Sequence, residues 1–125
     1  MKKILVIDDN ITILTLITLN LEKAGYTVIT EKDGKFAMRA IEQEMPDLII
    51  TDIYMPEKDG ISVLSQIREI FTDLPIVVMS GGGQLDKTSD DRRFTMEICK
   101  DLGANATIDK PINIPNLLGL IAKLI

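Results

Sequence analysis

Four apolar runs in this chain each lead to a side chain able to do chemistry. Ile4-Leu5-Val6-Ile7 runs into Asp8-Asp9, Leu48-Ile49-Ile50-Thr51 into Asp52, and Ile76-Val77-Val78-Met79 into Ser80, while Lys110 comes shortly after Ala106-Thr107-Ile108. If these ends meet, three carboxylates face one another, and like charges a few ångströms apart call for a cation. An all-oxygen ligand set with few donors leaves room for water, which suits Mg²⁺ better than zinc or a calcium cage. Lys110 adds a fixed positive charge and Ser80 a hydroxyl. An aspartate, a divalent ion, a lysine and a hydroxyl around one point can accept a phosphoryl group: the carboxylate attacks in line while the cations hold the oxygens. Taken singly, Asp8-Asp9 reads as a helix cap, Ser80 as a turn residue and Lys110 as a surface charge. Their conjunction with Asp52 changes that reading.

The elements that must position these residues follow from the same runs. Leu48 to Ile50 shows no polar alternation, as expected of a strand covered on both faces in a parallel sheet. Lys3 to Ile7 is a first strand. Asn10 caps a helix over Ile11 to Lys23 that Gly25 stops, with Leu14, Ile17, Leu21 and Ala24 toward the sheet. Tyr26 to Glu31 reads as an edge strand, followed by an Asp33-Gly34 turn and a helix with Phe36, Ala37, Ala40 and Ile41 on one face, ended by Met45-Pro46. Glu57 to Gly60 is a polar turn, and a third helix runs through Ile61, Val63, Leu64, Ile67 and Ile70-Phe71. Strand four is Ile76 to Met79. A helix from about Asp90 to Leu102 turns Phe94, Ile98, Cys99 and Leu102 inward, Ala106 to Ile108 is a fifth strand, and Ile114 to Leu124 is the last helix, with Pro115 in its first turn and Leu117, Leu118, Ile121 and Leu124 for packing. Strand and helix alternate five times with crossover-length helices, so the strands are parallel. The expected fold is α/β, a flavodoxin-like doubly wound sheet of order 2-1-3-4-5. In that order strands one and three are neighbours, and Asp8, Asp9 and Asp52 share one mouth.

A length of 125 residues fits one domain, 1–125, with a core that needs no disulfide or metal clip. The composition, 46% hydrophobic and 26% charged, together with apolar runs too short for a membrane span, indicates a soluble protein without a membrane association. The first apolar run meets aspartates too early for a signal peptide, so a cytoplasmic location is expected. A net charge of −5 with scattered Lys and Arg argues against direct nucleic-acid binding. The absence of histidine excludes a His-based triad. Cys99, the single cysteine, reads as a small core residue with no redox role.

At this point the chain resembles, over its whole length, the receiver domain of two-component response regulators, in a single-domain form like the chemotaxis regulators. The acidic pair Asp8-Asp9, the phosphoacceptor Asp52 followed by Met55-Pro56 and Asp59-Gly60, the strand-four hydroxyl Ser80, and Lys110-Pro111 match that family's motifs in order. The resemblance implies Mg²⁺ held by Asp9, Asp52 and the backbone carbonyl of Tyr54, with Asp8 acting partly through water. It also implies a cis bond before Pro111. The implied function is a phosphorylation-dependent signalling switch that takes a phosphoryl group from a histidine kinase or histidine phosphotransfer protein onto Asp52. The resemblance further implies a protein that catalyses only its own phosphorylation and dephosphorylation and is otherwise no enzyme.

Thr107 stands where the family often carries an aromatic switch residue, and the Gly81 to Arg93 segment is longer than is usual for the family. Tyr54 and Gly82 occupy positions that in the family tune water access, and Tyr54→Ala is expected to shorten the phosphate's lifetime. The first helix has surplus apolar residues: Ile13 and Leu16, with Ile112 bordering them, read as a docking face for the kinase or phosphotransfer domain. The other reading is packing under a neighbouring loop. Leu120 and Ile125 similarly read as a signalling or homodimer surface. Output is expected through contact with a downstream protein, unless the chain belongs to a longer regulator. The runner-up is a degenerate receiver that binds partners independently of phosphorylation. An aspartate-nucleophile phosphohydrolase would need Asp-x-Asp where this chain has Asp8-Asp9-Asn10, and a flavin binder would want hydroxyls there.

Overall fold

The computed structural model describes residues 1–53, 60–80 and 97–125. Strands β1 (Lys3–Ile7), β2 (Thr27–Glu31), β3 (Leu48–Asp52), β4 (Ile76–Ser80) and β5 (Ala106–Asp109) form one sheet in the order β2-β1-β3-β4-β5. All four pairings are parallel. Between the strands lie α1 (Ile11–Lys23), a short 3-10 turn (Gly34–Phe36) continuing into α2 (Ala37–Glu44), α3 (Gly60–Ile70) and α4, whose described helical residues are 97–101; α5 (Ile114–Leu124) follows β5. This is the doubly wound arrangement expected from the alternation of runs. No helix among the described residues is long and apolar enough to cross a membrane.

The unbroken apolar runs resolve into alternate faces, because successive strand side chains point to opposite sides. Ile4 and Val6 of β1, with Leu48 and Ile50 of β3, pack under Leu14, Ile17 and Leu21 of α1 and Leu117 and Ile121 of α5. Leu5, Ile7 and Ile49 instead meet Ala37 and Ile41 of α2, Val63, Leu64 and Ile67 of α3, and Cys99 of α4. Burial on both faces is why these strands show no polar alternation.

Local signals fix the ends of the helices. Asn10 Oδ1 accepts the Ile13 N–H at 3.2 Å, and Gly25 adopts φ +98° beyond the last turn of α1. Asn113 Oδ1 accepts the Asn116 N–H at 3.0 Å and Pro115 lies in the first turn of α5. Met45 takes a left-handed φ of 48° after α2, and Pro46 prevents continuation.

Several packing expectations are corrected. Ala24 does not face the sheet; it is the exposed C-cap of α1, where the chain has already turned away from the helical stripe. Phe36 lies in the 3-10 turn rather than on the inner face of α2 and is 43% exposed, with the Lys35 ammonium 5.4 Å from its ring centre. The tighter turn rotates it off the inward stripe that starts at Ala37. Ile70 ends α3 exposed, while Phe71 is half-buried. Leu102 lies in the turn after α4 rather than in the helix but packs inward as expected, and Phe94, Tyr54, Met55-Pro56, the polar turn through Asp59 and the Gly81 to Arg93 segment fall outside the described residues.

Candidate phosphoacceptor site

The carboxyl ends of β1, β3, β4 and β5 form one mouth. The register that sets Ile7 opposite Thr51 carries Asp8 alongside Asp52, and the register of β4 with β5 sets Ser80 opposite Asp109, the residue before Lys110. Asp8 and Asp52 have the same parity along their strands as Ile4-Val6 and Leu48-Ile50, so both lie on the α1/α5 side of the sheet. Carboxylate oxygens of Asp8, Asp9 and Asp52 come within 4.8 Å of one another. Asp8 and Asp52 are buried and Asp9 is exposed. The mouth thus has two acids in its floor and one at its rim.

Backbone hydrogen bonds hold this floor. The Asn10 N–H donates to Asp8 Oδ1 at 2.8 Å, the Asp8 N–H donates to the Glu31 carbonyl at 3.1 Å, and the Ile53 N–H donates to the Met79 carbonyl at 3.1 Å. Asn10 therefore caps α1 with its side chain and orients Asp8 with its backbone. Only the first role was legible, because an Asp-x-Asn spacing does not announce which N–H the carboxylate will take.

Lys110 crosses the mouth. Its Nζ lies 2.9 Å from Asp8 Oδ2 and 3.2 Å from Asp52 Oδ2, with 11% of the side chain exposed. Its backbone N–H donates to the Ser80 carbonyl at 2.6 Å, and the Lys110-Pro111 bond is cis, as the resemblance implied. Burial by itself disfavours the ammonium, but the ion pairs with Asp8 and Asp52 outweigh it and hold the Lys110 pKa above the ordinary lysine value. Among the described residues, two buried acids and one lysine meet at this mouth. Ser80 Oγ is buried with no hydrogen-bond partner among the described residues, and Asp8 Oδ2 is met by no donor there other than the Lys110 ammonium. A buried hydroxyl left without a partner is costly unless something satisfies it, and the Ser80 hydroxyl opens on the same mouth as the acids.

The donor set fits a hard divalent cation. Three carboxylates converge with no sulfur or imidazole among the potential ligands, and the exposed Asp9 gives the site an open side. Thr107 is half-buried on β5 beside Val78, so this strand position carries a hydroxyl and a methyl rather than an aromatic ring. The residues read as a docking face divide. Leu16 is 40% exposed, with Ile11 and Leu19 more so, whereas Ile13 and Ile112 are half-buried and pack onto the α1/α5 core. Leu120 and Ile125 likewise rest partly on that core.

The profile of the response regulator receiver domain matches residues 4–122, and the chain belongs to that family. It is 40% identical over 112 residues to the alkaline phosphatase synthesis transcriptional regulatory protein PhoP of Bacillus subtilis (strain 168), covering 90% of this chain and 43% of PhoP. It is 34% identical over 124 residues to the probable transcriptional regulator ycf27 of Cyanophora paradoxa, covering 99% of this chain and 48% of that protein. The chain therefore spans less than half the length of these curated relatives. Among solved structures, the chemotaxis response regulator CheY4 of Vibrio cholerae superposes with a TM-score of 0.83 at 27% identity, covering 100% of this chain and 99% of that one. A receiver domain protein from Clostridium thermocellum gives a TM-score of 0.86 at 29% identity, over 99% and 94% of the two chains.

Proposed function

We propose that this receiver is a phosphorylation-dependent switch, accepting a phosphoryl group on Asp52 from a phosphohistidine of a histidine kinase or phosphotransfer protein. The observation that carries this reading is the convergence of Asp8, Asp9 and Asp52 within 4.8 Å under the Lys110 ammonium. Asp52 attacks phosphorus in line, the P–N bond to the donor imidazole breaks, and the electron pair and a solvent proton leave with the imidazole. Asp8, Asp9 and Asp52, with the Tyr54 carbonyl, would hold Mg²⁺, which when bound neutralises the acids and the transferring phosphoryl oxygens. Lys110 exchanges its contact with Asp52 for one with a phosphoryl oxygen, and the Ser80 hydroxyl donates to another. The two residues approach from β5 and β4, so phosphorylation pulls on both strand ends. That pull is the event a downstream protein reads. Transfer takes place in the cytoplasm, and Leu16 with Ile13 and Ile112 is the face that meets the donor. The complete acidic site speaks against a receiver that works without phosphorylation.

Beryllofluoride, a phosphoryl mimic, provides a test free of hydrolysis. With Mg²⁺ it is expected to shift the amide resonances of Asp52, Ser80 and Lys110, and to have no effect on Asp52→Ala. Binding that persists in Asp52→Ala would remove Asp52 from its proposed role.

A further inference from the structure

Asn10 stands between the acidic mouth and α1 and is bonded to both. Its N–H donates to Asp8 Oδ1 at 2.8 Å, its side-chain Oδ1 accepts the Ile13 N–H at 3.2 Å, and its carbonyl accepts the Leu14 N–H at 3.1 Å. Its backbone is extended, with φ −90° and ψ 111°, as a helix cap requires. The torsions that aim the N–H at Asp8 are therefore the ones that the two bonds to α1 hold in place.

Asp8 is fully buried, and its two oxygens have separate tasks. Oδ1 is held by the Asn10 N–H, while Oδ2 lies 2.9 Å from the Lys110 ammonium that crosses the mouth. A carboxylate fixed through one oxygen presents the other to a cation without the cost of ordering it first. The cap depends on Asn10, because the first turn of α1 carries no acidic side chain to stand in for it. An amide also caps without charge, whereas an aspartate there would add another carboxylate beside Asp8, Asp9 and Asp52.

We propose that Asn10 is a positioning residue that couples the cation site to the first turn of α1: a divalent cation bound at the acids tightens the cap, and loss of the cap weakens the cation. The inference rests on the Mg²⁺ site of the proposed function. Coupling of this kind is reciprocal, so each site reports on the other. The exposed Leu16 follows Ile13 by one turn, so the helix start that the cation steadies belongs to the face proposed for the phosphoryl donor.

The test measures Mg²⁺ affinity by NMR titration of ¹⁵N-labelled protein and, in the same samples, hydrogen exchange of the Ile13 amide. Asn10→Ala is expected to weaken Mg²⁺ binding by about fivefold, the lower end of ordinary coupling between sites. Mg²⁺ is expected to slow Ile13 exchange in the wild type but not in this variant. Asn10→Ser keeps a cap acceptor and should restore both effects. Asn10 is exposed, so these substitutions remove no core packing, and a thermal melt verifies that the variants fold. Gly25→Ala is the control: it strains the other end of α1, where a Cβ meets nothing within 4 Å, and should leave Mg²⁺ affinity unchanged. Equal affinity in Asn10→Ala and the wild type, Ile13 exchange indifferent to Mg²⁺, the same loss in Gly25→Ala, or no recovery in Asn10→Ser would each overturn the coupling alone. A wild type that takes up no Mg²⁺ would overturn the metal reading and the coupling together.

Discussion

Removing Lys110 isolates the electrostatic logic of the site. In Lys110→Met the stem is kept and the ammonium is lost, leaving Asp8 and Asp52 buried without the cation that lies 2.9 and 3.2 Å from them. Two like charges at the 4.8 Å limit of this cluster repel by about 3 kcal/mol at an effective dielectric constant of about 20. Stripping one partner from a buried ion pair costs about 3–5 kcal/mol. We therefore expect Lys110→Met to lower unfolding free energy at pH 7 by about 3 kcal/mol, measured by urea denaturation with EDTA. Mg²⁺ should stabilise the variant more than the wild type, because the ion then provides all of the neutralisation. The pH dependence has a definite sign. The folded Lys110 pKa is raised by its carboxylate partners against the opposing effect of burial, so its stabilisation is complete below the unfolded lysine value of about 10.4. It is lost only as pH climbs through the folded value above that. The gap between wild type and variant should hold from neutral pH to mildly alkaline pH and close beyond it. A loss under about 1 kcal/mol, or a gap that closes below pH 9, would refute this reasoning.

Three further outcomes can be checked. Ser80→Ala removes a buried hydroxyl that has no partner among the described residues, so stability should not fall, since an unpaired buried polar group opposes folding, while beryllofluoride affinity, read by NMR, should fall. Gly25 and Gly103 both have positive φ, but a Cβ at Gly25 meets nothing within 4 Å, whereas at Gly103 it would sit 2.8 Å from Arg68 Nε. Gly25→Ala should cost roughly 1 kcal/mol of backbone strain and Gly103→Ala distinctly more, by chemical denaturation. Burial pushes the Cys99 thiol up to about 11, so thiol labelling at pH 8 should await unfolding and its rate should track urea concentration.

The architecture was legible because both levels of the sequence agree. Apolar runs such as Leu48-Ile49-Ile50 require cover on two faces, and the alternating helices supply it. The mouth was legible for the same reason: Asp8, Asp52 and Ser80 interrupt apolar runs at their carboxyl ends, where a parallel sheet gathers them. Packing inside helix turns was less so. Phe36 reads as core by spacing, but spacing assumes an α-helical repeat, and the 3-10 turn at Gly34–Phe36 breaks it. Arg68 was hard to see because most of its partners are backbone carbonyls, identical in every residue, brought near by α3 and the turn at Gly103.

On the proposed function, Asp52 carries the phosphoryl group and needs the metal site to do so. Intact mass after incubation with acetyl phosphate and Mg²⁺ tests it directly, beside Asp52→Ala and an EDTA sample. A single phosphoryl adduct is expected, and it should disappear in both controls. An adduct indifferent to Asp52 or to EDTA would contradict it, as would the absence of any adduct in a protein that also fails to bind beryllofluoride.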